Sequence, residues 1–169
     1  MKRQFRLTLL LLLIIGVIVI PLGILLFRGD TIRPKWHYYI EPGIYTASEE
    51  VEINGIKYTL DTFIHRDFFP PAPPNGEPLI AVIYVHAVDT DEFPLSTRIK
   101  RLWLIDEGNI ISTLATEYCS VDGSTYIMVF HDGPKWEPEI YIDVIVKLKS
   151  RYSSPQYLLA NNQKIYHTS

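Results

Sequence analysis

Cysteine is almost absent from this chain, which has Cys119 alone among 169 residues. Internal disulfides need cysteines in pairs, so a small exported domain stapled by disulfides is excluded. The domain must therefore be held together by its hydrophobic core. We interpret Cys119 as a small, partly buried hydrophobic residue rather than as a reactive thiol.

Catalytic signatures are also missing. The sequence has no G-x-S-x-G, no H-E-x-x-H and no glycine-rich phosphate loop, the patterns that place a nucleophile, a metal or a phosphate next to its partners. We therefore predict no enzymatic activity, no catalytic residues and no cofactor. A nucleophilic Cys119 activated by a histidine is the alternative that the composition leaves open.

Metal-ligand spacings are lacking as well. The five histidines include no short-spaced pair, whereas zinc and copper sites need two or more imidazoles or thiolates around one ion. The acidic clusters at 89–92 and 106–109 do not have the spacing of a calcium loop. We predict no metal site, although the sequence leaves open whether His86, His131 and Cys119 meet in space.

Long apolar runs are limited to one, residues 7–27, which are 21 residues without a charge. At 1.5 Å per residue this length matches a hydrocarbon core of about 30 Å. A secretory signal has a shorter apolar region followed by small residues at its cleavage site, and no A-x-A-like triplet follows here. We predict an uncleaved, single-pass signal-anchor helix, with a cleaved signal as the alternative.

The charges flanking this run set the expected orientation. Residues 1–6 contain Lys2, Arg3 and Arg6 and no acid, so the positive-inside rule keeps this tip in the cytoplasm. Beyond residue 27, 13 basic residues face 19 acidic ones, a formal net charge near −6. This acidic remainder argues against a nucleic-acid partner. We predict a cell-membrane protein whose C-terminal domain lies outside the cytoplasm.

The remainder reads as a series of short strands. Asn54-Gly55 between alternating segments predicts a hairpin with a type I′ turn. Residues 79–88 are almost continuously apolar, which predicts a central strand covered on both faces. Residues 139–149 alternate and should bury their even-numbered side chains. Residues 156–167 read as a short hairpin that turns at Asn161-Asn162.

These strands predict an all-β fold, an antiparallel β-sandwich or a small barrel, of which we favour the sandwich. The segment Asp122-Gly123 leading to Tyr126 resembles the E–F corner of immunoglobulin-like domains, and that resemblance implies a buried core tryptophan, for which Trp103 is the candidate. The predicted organisation has four parts: a cytoplasmic tip at 1–6, a transmembrane helix at 7–27, a juxtamembrane stalk and first strand at 28–48, and an extracytoplasmic β-sandwich at 49–169.

Two aromatic clusters are the candidate binding residues. Trp36, Tyr38 and Tyr39 follow the anchor closely, and Trp136 lies in a proline-flanked loop. Exposed aromatic rings with a polar group suit protein interfaces and sugar stacking. The alternatives are that the first cluster sits at the membrane interface and that Trp136 closes the open end of the sandwich.

The combination of an anchor, a non-catalytic β domain and aromatic loops predicts a protein-interaction or assembly module of the cell envelope. Its partners are then the membrane, through the single-pass anchor, and a protein in the envelope. The alternative is a ligand-binding domain for a saccharide or a metal ion.

Overall fold

A computed structural model describes residues 36–115 and 119–169 of the chain, and more than half of these lie in strands. The strands are β1 (Glu50–Ile53), β2 (Ile56–Asp67), β3 (Ile80–Ala87), β4 (Thr97–Asp106), β5 (Asn109–Leu114), β6 (Cys119–Asp122), β7 (Thr125–Phe130), β8 (Tyr141–Ser150) and β9 (Gln156–Thr168). A 3-10 helix, Pro42–Thr46, precedes them. Within these two ranges no helix has the length and apolar character that a bilayer crossing requires. The predicted tip at 1–6, the helix at 7–27 and residues 28–35 lie outside the described residues.

All nine strands belong to one sheet, in the order β5-β4-β8-β9-β2-β3-β7-β6, with β1 paired to β2. The sheet is mixed and curled, so that its inner side chains enclose one main core. Strands β5, β4, β8 and the start of β9 make up one half of the sheet, the β4–β8 half. The end of β9 and strands β2, β3, β7 and β6 make up the other, the β2–β3 half. The predicted all-β class is confirmed.

Strand β9 corrects two predictions. Asn162 has a φ of 56°, but it bends a continuous strand instead of turning a hairpin. Its N–H donates to Asp143 Oδ1 over 2.9 Å, beside a register shift between Ile142 and Val144. Beyond this bulge, β9 pairs in parallel with β2, from Ile64 opposite Ile165 onward. The predicted antiparallel, immunoglobulin-like sandwich is therefore wrong, because the sheet is single and mixed.

Two local predictions are confirmed. Asn54 and Gly55 have φ values of 54° and 80°, and they join β1 to β2 with Ile53 opposite Ile56. Both residues of a type I′ turn need positive φ, which asparagine and glycine tolerate best. The alternation in β8 places Ile142, Val144, Val146 and Leu148 in the main core.

Residues 36–48, hereafter the strap, lie across the outer surface of the β4–β8 half. The backbone of His37 pairs with Ser112 on β5, and that of Ser48 pairs with Leu158 on β9. Between these ends Ile44 is buried together with Trp103 and Ile145. In the organisation predicted from the sequence, these residues form the C-terminal part of the stalk at 28–48.

Trp103 is fully buried, at 0% exposure, but it lies under the strap and outside the main core. Its indole Nε1 donates to the Tyr39 carbonyl over 2.8 Å. The immunoglobulin resemblance would have placed this ring between two sheets. Instead, the ring fixes the strap to the outside of one sheet.

Candidate functional site

The β2–β3 half presents an apolar outer surface, built by the outward side chains of four neighbouring strands. We call this surface the aromatic face, and it consists of Phe63, His65, Ile80, Val82, Tyr84, Ile127, Val129 and Tyr166. All eight side chains are partly exposed. The strand registers align them in rows: Phe63, Val82 and Val129 form one row, Tyr84 and Ile127 a second, and Tyr166, His65 and Ile80 a third.

Strand β3 shows how the sequence produces this face. Its inward residues Ala81, Ile83 and Val85 are completely buried, and the intervening residues point outward and stay partly exposed. The apolar run at 79–88 predicts a strand covered on both faces, and this prediction is wrong for the outer face. The run is nevertheless the sequence signal that marks the site, because a strand with one wet face normally alternates with polar residues.

A stack of three rings occupies one side of the face. The Phe63 ring centroid lies 4.9 Å from that of His65 and 5.5 Å from that of Tyr166, with interplanar angles of 29° and 27°. The Lys164 ammonium lies 5.5 Å from the Tyr166 centroid. Phe63 is 39% exposed and Tyr166 is 44% exposed. Because near-parallel rings at these distances cover one another's π-faces, the stack presents largely its ring edges to the outside.

The electrostatics of His65 suit an apolar surface. Burial lowers its pKa, the nearby His131 acts in the same direction, and Asp67 opposes the shift without reversing it. The imidazole is therefore neutral at pH 7. Its Nδ1 atom is buried and has no hydrogen-bond partner among the residues that the structure describes.

Charged and polar groups border the apolar rows. His86 Nε2 lies 3.1 Å from Asp61 Oδ2, and His86 Nδ1 lies 2.9 Å from the Thr125 hydroxyl. On the β9 side, Lys164 Nζ lies 2.6 Å from Glu139 Oε2. The face thus has an apolar centre, bordered by the polar pairs Asp61–His86 and Lys164–Glu139.

The two tryptophans named from the sequence lie at one end of the domain and are not part of the aromatic face. The indole of Trp36 donates to the His131 carbonyl over 2.8 Å, and its ring packs edge-on against Phe130 at 6.5 Å. Trp136 is half-buried against the main core. Both rings therefore already have partners within the fold.

The two predicted tyrosines lie in the strap. Tyr38 is 71% exposed. Tyr39 stacks under the Arg101 guanidinium, 4.2 Å from its ring centroid. The structure therefore does not bring the four predicted residues together into one surface.

His86, His131 and Cys119 do not converge. His86 pairs with Thr125 at one end of β7, and His131 follows the other end of that strand, about 20 Å away at 3.3 Å per residue. No group of three metal-ligand side chains occurs in the described ranges.

Cys119 is exposed, which corrects its interpretation as partly buried. Burial, together with contact to Cys119, raises the pKa of Tyr126 to about 12, against the opposing effect of Arg98.

These features define an all-β domain with one outer surface covered by its own strap and the other left as an aromatic face. No family model matches the chain, and no curated protein or solved structure is significantly similar to it.

Proposed function

We propose that this chain is a single-pass membrane protein whose extracytoplasmic β domain is a non-catalytic protein-interaction module, and that the aromatic face is its binding surface. The observation that carries the proposal is the continuous apolar area on the β2–β3 half. The largest contiguous apolar patch of a typical monomer covers about 300–600 Å² and is often a functional surface.

Membrane anchorage is supported by the sequence. The uncharged residues 7–27 are long enough to span a bilayer, and the basic tip favours a cytoplasmic N-terminus. The partner would accordingly be a protein of the envelope or of the same membrane.

The arrangement of the face supports a protein partner. Four strands at about 4.8 Å spacing, with three rows of side chains, cover about 300 Å². A standard interface buries about 800 Å² per partner, so the apolar rows would form the centre of an interface. The rim pairs Asp61–His86 and Lys164–Glu139 would surround that centre, as polar residues commonly do.

The alternative, a saccharide-binding platform, receives less support from the ring geometry. Sugars stack on the free π-face of an aromatic ring, whereas Phe63 already stacks on both His65 and Tyr166. Exposed ring edges and aliphatic side chains such as Val82 are better suited to packing against apolar side chains of a protein.

The test places a photo-crosslinking amino acid at Val82, in the middle of the face, in the full chain expressed in its native membrane. The matched control places it at Tyr152, which is 80% exposed in the turn between β8 and β9. We expect one discrete protein adduct from position 82 and none from position 152.

The double variant Phe63→Thr/Tyr166→Thr then distinguishes a specific interface from chance contact. Both side chains point outward, so the variant should fold and yet lose the adduct at position 82. An adduct that persists in the folded double variant, or equal adducts from positions 82 and 152, would refute the aromatic face as the binding surface.

A further inference from the structure

Two loops and the start of the strap meet at one end of the domain, hereafter the tether end. They are residues 68–79, which join β2 to β3, and residues 131–140, which join β7 to β8. Trp36, the first described residue, is fixed there by its hydrogen bond to the His131 carbonyl. The chain therefore enters the domain at this end.

The tether end is held together by two cationic side chains. Buried Arg66 donates to the carbonyls of Glu77, at 3.0 Å, and Trp136, at 2.9 Å, and also to that of Asn75. Lys135 Nζ donates to the Gly76 carbonyl over 2.8 Å. Because these bonds cross from one loop to the other, the two loops form one supported surface.

Two adjacent phenylalanines on this surface have opposite environments. Phe68 is partly buried, with its ring 4.4 Å from that of His167 and 5.0 Å from the Arg66 guanidinium. Phe69 is 64% exposed, although its backbone is fixed: its N–H donates to Asp67 Oδ1 over 2.8 Å, and its carbonyl accepts from Ala72 N–H over 2.9 Å. The fold thus holds a large apolar ring out into the surroundings at the tether end.

The length of chain before Trp36 limits the distance to the membrane. Between the predicted helix at 7–27 and Trp36 lie the eight residues 28–35, which reach at most about 29 Å when fully extended. With the predicted helix at 7–27 in the bilayer, so short a linker leaves the tether end within reach of the lipid surface.

These eight residues carry Arg28, Arg33 and Lys35 against Asp30 and would attract anionic headgroups, whereas the two loops carry Glu77, Asp132, Glu137 and Glu139 against Lys135. The contact of the loops themselves would therefore be apolar, through Phe69.

We infer that the tether end docks on the lipid surface and that Phe69 inserts into the membrane interface. This inference rests on the proposed membrane anchorage but not on the aromatic face. Aromatic rings favour the interfacial region of a bilayer, and a supported loop presents the ring without a large ordering cost. Docking would hold the strands of the aromatic face upright, with His65 nearer the membrane than Tyr84.

The test uses the full chain with Cys119→Ser, reconstituted in phosphatidylcholine liposomes. An environment-sensitive fluorophore is attached at position 69 through Phe69→Cys, and in a matched control at position 152 through Tyr152→Cys. The control site is at the opposite end of the domain, because neighbouring Ser150 accepts a hydrogen bond from Asn54 at the start of β2. We expect blue-shifted emission and quenching by shallow spin-labelled lipids at 69 only, since an interfacial side chain lies about 5–10 Å into the headgroup region.

Flotation of the same liposomes separates the possible failures. If the chain does not float with the lipid, both the anchorage and the docking are wrong. If the chain floats but the label at 69 emits and is quenched like the label at 152, only the docking is wrong.

Discussion

The two halves of the sheet differ in how far their outward apolar side chains are buried. On the β4–β8 half, the strap buries Trp103 completely. On the β2–β3 half, Phe63 and Tyr166 remain 39% and 44% exposed, and no described segment comparable to the strap joins them in a buried cluster. Both halves carry outward apolar residues, but only on the β4–β8 half does a described segment of the chain, the strap, cover them.

This contrast shows how an apolar outer surface is completed within this fold. The strap supplies an apolar side chain, Ile44, a backbone acceptor at Tyr39 and a carboxylate at Glu41. The aromatic face likewise has an apolar centre with a few polar groups at its border, so a binding partner would have to supply similar side chains. We therefore regard the strap as a guide to the chemistry of the partner that the aromatic face would bind.

The largest effect is expected from Trp103→Ala on the covered half. Removing a completely buried tryptophan typically costs about 3–5 kcal/mol of the free energy of unfolding, and this change also leaves the Tyr39 carbonyl without its donor. Urea denaturation of the full chain in detergent, followed by circular dichroism, measures the loss. A loss below about 1 kcal/mol would contradict a strap that is packed as an integral part of the domain.

A smaller effect is expected from Glu41→Gln in the strap. Glu41 accepts from Tyr157 over 2.7 Å and lies 2.8 Å from Lys147 Nζ. Burial alone would raise its pKa, but the hydrogen bonds from Lys147 and Tyr157 and the positive charge of Arg101 outweigh burial and lower it. We expect the variant to lose about 1.5–3 kcal/mol at pH 7, the range for hydrogen bonds to charged groups.

The lowered pKa also fixes the sign of the pH dependence. The stabilisation from ionised Glu41 is complete above its ordinary pKa of 4.5 and is lost as the pH falls through the folded-state pKa. Thermal melts should therefore show the wild type and Glu41→Gln converging at acid pH. A difference that stays constant down to pH 2 would show that the carboxylate charge does not hold the strap.

The smallest effect on stability is expected on the aromatic face. Phe63→Thr removes one ring from the stack but keeps a strand-favouring residue, so the cost should be about 0.5–1 kcal/mol. Val129→Thr serves as a near-isosteric control on the same face. A cost for Phe63→Thr as large as that for Trp103→Ala, in the same urea titration, would mean that the face is already covered within the chain.

Local patterns in the sequence predicted much of the sheet. The Asn54-Gly55 turn follows from the φ requirements of two adjacent residues, and the burial of Val144 and Val146 follows from strict alternation. Such features depend only on residues that are close in sequence. They are therefore visible without knowledge of the rest of the fold.

The parallel pairing of β9 could not be predicted in the same way. An asparagine with positive φ serves equally well in a hairpin turn or in a bulge, and the choice at Asn162 depends on a hydrogen bond from its N–H to Asp143, 19 residues earlier in the chain. The strap was likewise hidden, because its contacts with Ser112 and Leu158 are distant in sequence.

The candidate site was partly visible. The apolar run at 79–88 indicated a strand with apolar side chains on both faces. A sequence cannot show whether the outer face packs against another segment of the chain or against a partner. Trp36 and Trp136 drew attention as rare aromatic residues, whereas the structure gives both of them partners within the fold.

Hydroxyl-radical footprinting measures whether the aromatic face is covered, by comparing the chain in its native membrane with the chain purified in detergent. If the aromatic face binds a partner, oxidation of Phe63 and Tyr166 should be several-fold weaker in the native membrane, with exposed Tyr45 and Tyr152 oxidised equally in both samples. Equal oxidation of Phe63 and Tyr166 in the two samples would mean that no partner covers the aromatic face in the native membrane.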